Sequence, residues 1–249
     1  MLPLTLAEVA TACGGRLEAP DPVLEVPRVC TDNRRIRPGD LFVGLRGDRF
    51  DGDEFAAQAL ADGAAAVVVR SAAAAALPAS AARITVDDGL RALQSLATDV
   101  RRRSGVKAVA ITGSAGKTST KDILAALLRP VARTAATVAN LNNEIGVPLT
   151  LLGIEPDTEV AVVEMAMRGA GQIRELARVA EPDVGVITNI APVHLELVGT
   201  IEDVAAAKAE LSEELADGGT AVVPAAEQLL ARHVHRYRGR VVTFGEEDA

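Results

Sequence analysis

Apolar positions along this chain follow two patterns, short unbroken runs and stripes at helical spacing. Leu6, Val9 and Ala10 form a helical stripe behind Thr5-Leu6-Ala7-Glu8, which has capping-box spacing, and Gly14-Gly15 ends it. Runs at 26–31, 41–45 and 65–69 read as strands, and a helix over 54–61 stops at Gly63. Residues 71–82 are alanine-rich, contain Pro78, and read as a short helix followed by a surface crossing. A short run at 84–86 precedes a helix over 90–103, with Leu93, Leu96 and Val100 on one face. Its basic end, Arg101-Arg102-Arg103, suits the negative end of the helix dipole. The expected organisation is a small α/β domain over 1–83 and a second domain over 84–249.

The second domain opens on the most informative pattern in the chain. The apolar run at 109–111 breaks at Gly113, and a helical pattern resumes over 117–128. Between them lie Thr112, Gly113, Ser114, Ala115, Gly116, Lys117, Thr118 and Ser119. Strand, glycine loop and helix N-terminus in this order make a phosphate cradle: backbone N–H groups and the helix dipole converge on one anion. Lys117 would reach the outer phosphates and the Thr118 hydroxyl would hold Mg²⁺. The strict spacing G-x-x-x-x-G-K-[ST] asks for glycine at 111, where the chain has Ile111.

Further buried-type runs at 134–138, 160–164, 183–189, 221–223 and 241–244 predict a mostly parallel sheet around this loop. The amide-rich stretch 140–148 reads as a turn. Its Asn142 and Asn143 could serve an oxyanion or a hydroxyl, or simply form Asx turns. Glu164 ends a buried run, the edge where ligands gather in open parallel sheets, and can hold Mg²⁺ opposite the loop. His194, one of three histidines, follows the run at 183–189 and falls at the same edge. Lys208 sits midway along a helix expected over 201–215, where spacing alone offers only i,i+4 pairing. In the first domain Thr31, Asp32, Asn33 and Arg34 follow one strand, and Arg46, Gly47, Asp48 and Arg49 follow another, as ligand-contact loops often do.

Composition narrows the class of partner. A net charge of −8 leaves nothing basic enough for general nucleic-acid binding, although one loop can still bind a small anion. With 49% hydrophobic residues but only 2% aromatic, the cores must be filled by Ala, Val, Leu and Ile. Cys13 and Cys30 lack metal-ligand spacing and read as reduced thiols. No N-terminal signal pattern or membrane-length apolar run occurs, so a cytoplasmic protein without membrane insertion is expected.

Several ordered motifs together resemble the ATP-dependent Mur ligases of peptidoglycan synthesis, in the type that adds D-alanyl-D-alanine. They are Thr31-Asp32-Asn33-Arg34 with Pro38-Gly39-Asp40-Leu41-Phe42-Val43, then Gly47-Asp48-Arg49-Phe50-Asp51-Gly52. They continue with Thr112-Gly113-Ser114-Ala115-Gly116-Lys117-Thr118-Ser119-Thr120-Lys121 and Asn140-Leu141-Asn142-Asn143-Glu144-Ile145-Gly146-Val147-Pro148. Glu164, His194-Leu195-Glu196 and Ala207-Lys208-Ala209-Glu210 complete the set. The family's loop, T-G-[ST]-x-G-K-[ST], accounts for Ile111. The resemblance implies a UDP-sugar-binding N-terminal domain followed by a P-loop, mostly parallel, sheet domain. It further implies ATP and Mg²⁺ as cofactors, and UDP-N-acetylmuramoyl-tripeptide and D-alanyl-D-alanine as substrates of a monomer. On this basis Thr118, Glu164, His194 and a carbamoylated Lys208 are the expected metal ligands. Lys117, Asn142 and Asn143 would attend the phosphates or substrate, and Thr31–Arg34 and Arg46–Arg49 the sugar nucleotide. Family members continue into a further domain that helps clasp ATP and the dipeptide, so these 249 residues are expected to bind nucleotide weakly and not to turn over. Another ligase of the superfamily, including the folylpolyglutamate type, or a non-catalytic sugar-nucleotide-binding remnant are the competing readings.

Overall fold

The computed structural model describes residues 1–47, 50–192, 196, 199–235 and 237–246. They form two compact units, residues 1–104 with 152–156, and residues 105–151 with 157–249.

In the first unit β1 (Leu4–Thr5) leads into α1 (Leu6–Cys13), followed by β2 (Arg16–Glu18), β3 (Glu25–Val26) and β4 (Val29–Cys30). The Thr5–Glu8 capping box forms as its spacing predicts, and α1 ends on Gly14 in the left-handed region. Next come β5 (Leu41–Val43), α2 (Ala56–Ala61), β6 (Ala66–Arg70), α3 (Ser71–Ala76), β7 (Arg83–Val86) and α4 (Gly89–Ser104). The sheet order is β2-β7-β6-β5-β4, parallel except for the antiparallel edge β2, while β1 and β3 form a separate antiparallel pair. Phe42, Val67 and Val69 pack with Ala56 and Ala59 of α2 to build one core. With α2, α3 and α4 all against β6, its valines are fully buried, which is why this strand reads as an unbroken apolar run.

The expected domain boundary at 83 is not where the units divide. β7 is an inner strand between β2 and β6, and α4 packs on α1 and β6, so the division falls after Ser104. The passage around Pro78 resembles a linker locally, and only strand pairing across more than sixty residues places β7 within this unit. The arginines ending α4 also do more than meet a helix dipole: Arg103 pairs with Asp99 at 2.6 Å and with Glu8 of α1 at 2.8 Å, and Arg101 is buried.

The second unit comprises β8 (Lys107–Thr112), α5 (Lys117–Leu128), β9 (Thr134–Ala136), α6 (Gly146–Leu152), β10 (Val160–Glu164) and α7 (Gln172–Ala180). It continues with β11 (Val184–Ile187), α8 (Ile201–Glu213), β12 (Thr220–Pro224), α9 (Gln228–Val234) and β13 (Arg240–Phe244). Its six strands are all parallel, in the order β13-β12-β11-β8-β10-β9. The first strand in sequence, β8, is central; the chain passes to the edge strand β9, returns to β10 beside β8, then crosses to β11 on the other side and continues outward to β12 and β13. That reversal of strand order opens a crevice at the carboxyl ends of β8, β10 and β11. Helix α6 starts at Gly146, inside the stretch expected to remain a turn, and α7 and α9 are helices where the sequence reading places no element. Among the described residues, no helix is long and apolar enough to cross a membrane.

Candidate active site

Elements of the second unit bring the sequence-predicted phosphate loop to the carboxyl edge of the sheet. Register places Glu164 of β10 beside Ile111 of β8, and Ile187 of β11 beside Thr112. The loop is tied to the segment after β11. Ala115 N–H donates to Asn189 Oδ1 at 2.8 Å, Thr188 Oγ1 donates to the Ala115 carbonyl at 2.6 Å, and the Ser114 hydroxyl exchanges hydrogen bonds with Ala191. Gly113 has φ +148°, and a Cβ there would lie 1.9 Å from Thr188 Oγ1, so only glycine admits this contact. Helix α5 starts from Gly116 in the left-handed region, with no side-chain cap among the described residues. Its first N–H groups therefore remain available to an anion at the positive end of the dipole. Thr118 and Ser119 are exposed there, and the Lys117 ammonium lies over the loop, donating to the Gly113 carbonyl at 2.8 Å.

Beneath the loop lies a buried polar group. Glu164 is 2% exposed; its Oε1 accepts from Asn142 Nδ2 at 2.8 Å, while its Oε2 is buried without a partner among the described residues. Thr112 Oγ1, on the neighbouring strand, is also buried and unpartnered among the described residues. An orphaned carboxylate oxygen is costly in a dry interior and suits a cation that supplies the missing partner. Burial pushes the Lys117 ammonium below its ordinary pKa, and the Glu164 carboxylate partly restores it. Lys208, on α8, is 3% exposed. Burial, with the Lys117 charge adding to it, pushes its amine down to about 8. The helical spacing that would leave Lys208 as an exposed i,i+4 partner therefore misplaces it: α8 turns this residue into the protein.

Of the two asparagines, only Asn142 reaches this group. Asn143 turns back to its own chain, accepting from the N–H of Gly146 at 2.9 Å and of Ile145 at 3.3 Å at the start of α6. Glu210, part of the motif around Lys208 but given no role there, has a buried carboxylate that accepts from Gly171 N–H at 2.7 Å and Arg174 N–H at 3.0 Å, capping α7 from another helix. His194 lies outside the described residues. Among those described, no three His, Cys, Asp or Glu side chains gather as a metal site.

The first unit holds a separate cleft of about 440 Å³, lined by Arg46, Gly47, Arg70, Asp87, Asp88 and Gly89 among others. Arg46 and Gly47 are the predicted ligand residues that it contains; Asp48 and Arg49 lie outside the described residues. Thr31, Asp32, Asn33 and Arg34 do not line it. Asp32 and Arg34 instead pair with each other at 2.8 Å around a 3₁₀ turn, Asn33–Arg35. Arg70, Asp87 and Asp88 have no motif to mark them. Their usable signal is position, since Arg70 ends a buried strand as Glu164 does.

The Mur ligase middle domain profile matches residues 111–249, more than half of the chain, and that of the Mur ligase family catalytic domain matches residues 25–101. The chain belongs to the Mur ligase family. Its relatives include the UDP-N-acetylmuramoyl-tripeptide–D-alanyl-D-alanine ligase of Synechocystis sp., 42% identical over 225 residues, covering 90% of this chain and 49% of that protein. The structure of MurF from Acinetobacter baumannii matches with a TM-score of 0.89 at 32% identity, over 98% of this chain and 53% of the other. MurF from Thermotoga maritima, solved in complex with ADP, gives 0.80 at 33% identity, over 89% and 51%. This Mur ligase chain thus spans about half the length of the relatives it matches.

Proposed function

We propose that this chain carries the sugar-nucleotide-binding and ATP-binding parts of a cytoplasmic ligase that joins D-alanyl-D-alanine to UDP-N-acetylmuramoyl-tripeptide. The observation that carries the reading is the convergence of three features on one sheet edge: the uncapped start of α5 with Lys117, the unpartnered oxygen of Glu164, and buried Lys208. In the proposed reaction the terminal carboxylate of the tripeptide attacks the γ-phosphorus of ATP, the bond to ADP breaks, and an acyl phosphate forms. The amine of D-alanyl-D-alanine then attacks the acyl carbon, phosphate departs, and the amine loses a proton as the amide forms. Such chemistry depends on positioning and on neutralising phosphate charge rather than on a protein nucleophile.

The loop N–H groups and Lys117 would hold the β- and γ-phosphates. Thr118, Glu164, His194 and Lys208 would hold Mg²⁺, which when bound neutralises charge on the transferring phosphoryl group. As an ammonium Lys208 cannot ligate a cation; its uncharged amine can add CO₂ to give a carbamate whose oxygens can. Asn142 would orient Glu164 by occupying one of its oxygens, whereas the placement of Asn143 favours a structural role over the expected contact with phosphate or substrate. Arg46 and Gly47 would receive the sugar nucleotide in the first unit. Calorimetric titration with UDP-N-acetylmuramoyl-tripeptide, and separately with Mg·ADP, tests the assignment. Binding of both ligands is expected, with Lys117→Met removing only the second; loss of both in a folded Lys117→Met variant would contradict the assignment.

A further inference from the structure

The cleft of the first unit is bounded on one side by a three-residue ion-pair cluster that no catalytic step requires. Arg70 is the last residue of β6, and its side chain grips two carboxylates of the segment after β5 at once. Its Nε donates to Asp53 Oδ2 at 2.7 Å, its backbone N–H reaches the same oxygen at 3.2 Å, and its Nη2 pairs with Asp51. Asp53 is 7% exposed, and its other oxygen, Oδ1, is buried without a partner among the described residues. That oxygen lies against Gly44, where a Cβ would stand 2.3 Å from it. A buried carboxylate whose partners are Arg70's guanidinium and backbone N–H fixes the position of both. Asp51 in turn accepts from Asp53 N–H at 3.2 Å through its side chain, and its backbone pairs with that of Arg46 as an isolated antiparallel bridge. Further backbone bonds, from Gly47 N–H to the Phe50 carbonyl at 2.9 Å and from Gly52 N–H to the Leu45 carbonyl at 2.8 Å, close the segment. A chain of contacts therefore runs from the end of β6 through Arg70 and Asp51 to Arg46, which lines the cleft.

We propose that Arg70 is a positioning residue. By holding Asp51 and Asp53 together it fixes the Arg46–Asp51 bridge and presents the Arg46 guanidinium to an anionic group of the ligand in the cleft. This inference rests on the reading of the cleft as the sugar-nucleotide site. The planar fork matters here, because an ammonium carries the same charge but cannot span two carboxylates in fixed geometry. Arg70→Lys therefore separates positioning from simple attraction of the ligand.

The test is calorimetric titration of UDP-N-acetylmuramoyl-tripeptide into the full chain, its Arg46→Met, Arg70→Lys and Asp51→Asn variants, and the Arg46→Met/Arg70→Lys double variant. Hydrogen exchange of the Gly47 and Gly52 amides is followed without ligand. Arg46→Met is expected to weaken binding about tenfold, and Arg70→Lys and Asp51→Asn by a similar factor. The double variant should be at most about twofold worse than either single one, as for residues acting through one contact. The Gly47 and Gly52 amides should exchange faster in Arg70→Lys. Wild-type affinity in Arg70→Lys, losses that multiply to about a hundredfold in the double variant, or unchanged amide exchange would each overturn the proposal. Absence of binding to the wild-type chain would overturn the sugar-nucleotide reading, and this proposal with it; wild-type binding with multiplying losses overturns the proposal alone.

Discussion

Glu164 and Lys208 show how one residue can be legible and another hidden under the same sequence rules. An acid ending a buried run points to the edge where ligands gather, and Glu164 stands at the carboxyl edge of the sheet with one oxygen unpartnered among the described residues. We expect Glu164→Gln to leave thermal stability unchanged or slightly raised, because it removes a buried charge, while weakening Mg²⁺-dependent nucleotide binding at least tenfold; calorimetry with and without Mg²⁺ checks this. Lys208 carries no such mark. Helical spacing leaves it on a surface, and only the packing of α8 shows that it is buried. Its amine falls from the ordinary 10.5 to about 8 in the folded state. Between those values the unfolded chain binds more protons, so the penalty for burying Lys208 is full below about 8 and fades as pH rises. In bicarbonate-free buffer, wild-type stability should therefore gain on that of Lys208→Met between pH 8 and 10, as measured by urea unfolding. A constant difference would mean that Lys208 is not buried as an ammonium. Arg70 was as legible as Glu164, since it too ends a buried run, but a cation at a strand end suggests solvent more readily than a strut.

At the scale of elements, the strand, glycine loop and helix at 107–128 and the Thr5–Glu8 capping box are encoded locally and form as their spacing predicts, and the structure adds a second capping box at Thr200–Asp203. Thr200 Oγ1 accepts from Asp203 N–H at 3.2 Å, and the Asp203 carboxylate accepts from Thr200 N–H at 2.9 Å, starting the helix that carries Lys208. Thr200→Ala should cost about 1 kcal/mol, measured by chemical unfolding. Gly113→Ala should do worse, because its Cβ meets Thr188 Oγ1 in a backbone region that L side chains rarely adopt. Loss of nucleotide binding together with a lowered unfolding midpoint is the expected result, and wild-type behaviour in both would refute the loop geometry. Elements set by long-range pairing are the ones that sequence pattern does not assign. β7 belongs to the first sheet because of partners at 16–18 and 67–70, whereas α6 begins inside an amide-rich stretch for a local reason, the Asn143 side chain accepting from Gly146 N–H, which the reading of that stretch as a turn passes over.

For the whole molecule, two separate cores imply two separable ligand responses. In hydrogen exchange followed by mass spectrometry, UDP-N-acetylmuramoyl-tripeptide should protect peptides around 44–53 and 87–92, and Mg·ADP those around 113–119. Protection of the same peptides by both ligands would contradict the division of labour. The central claim, that the carboxyl edge of the six-stranded sheet is a nucleotide-phosphate site, has its most direct test in ³¹P NMR of Mg·ADP, which reports even weak binding. Addition of the chain should broaden and shift the β-phosphate resonance, and Lys117→Met should abolish the effect without unfolding the protein. An unaltered β-phosphate signal with the wild-type chain, or the same broadening with folded Lys117→Met, would contradict it.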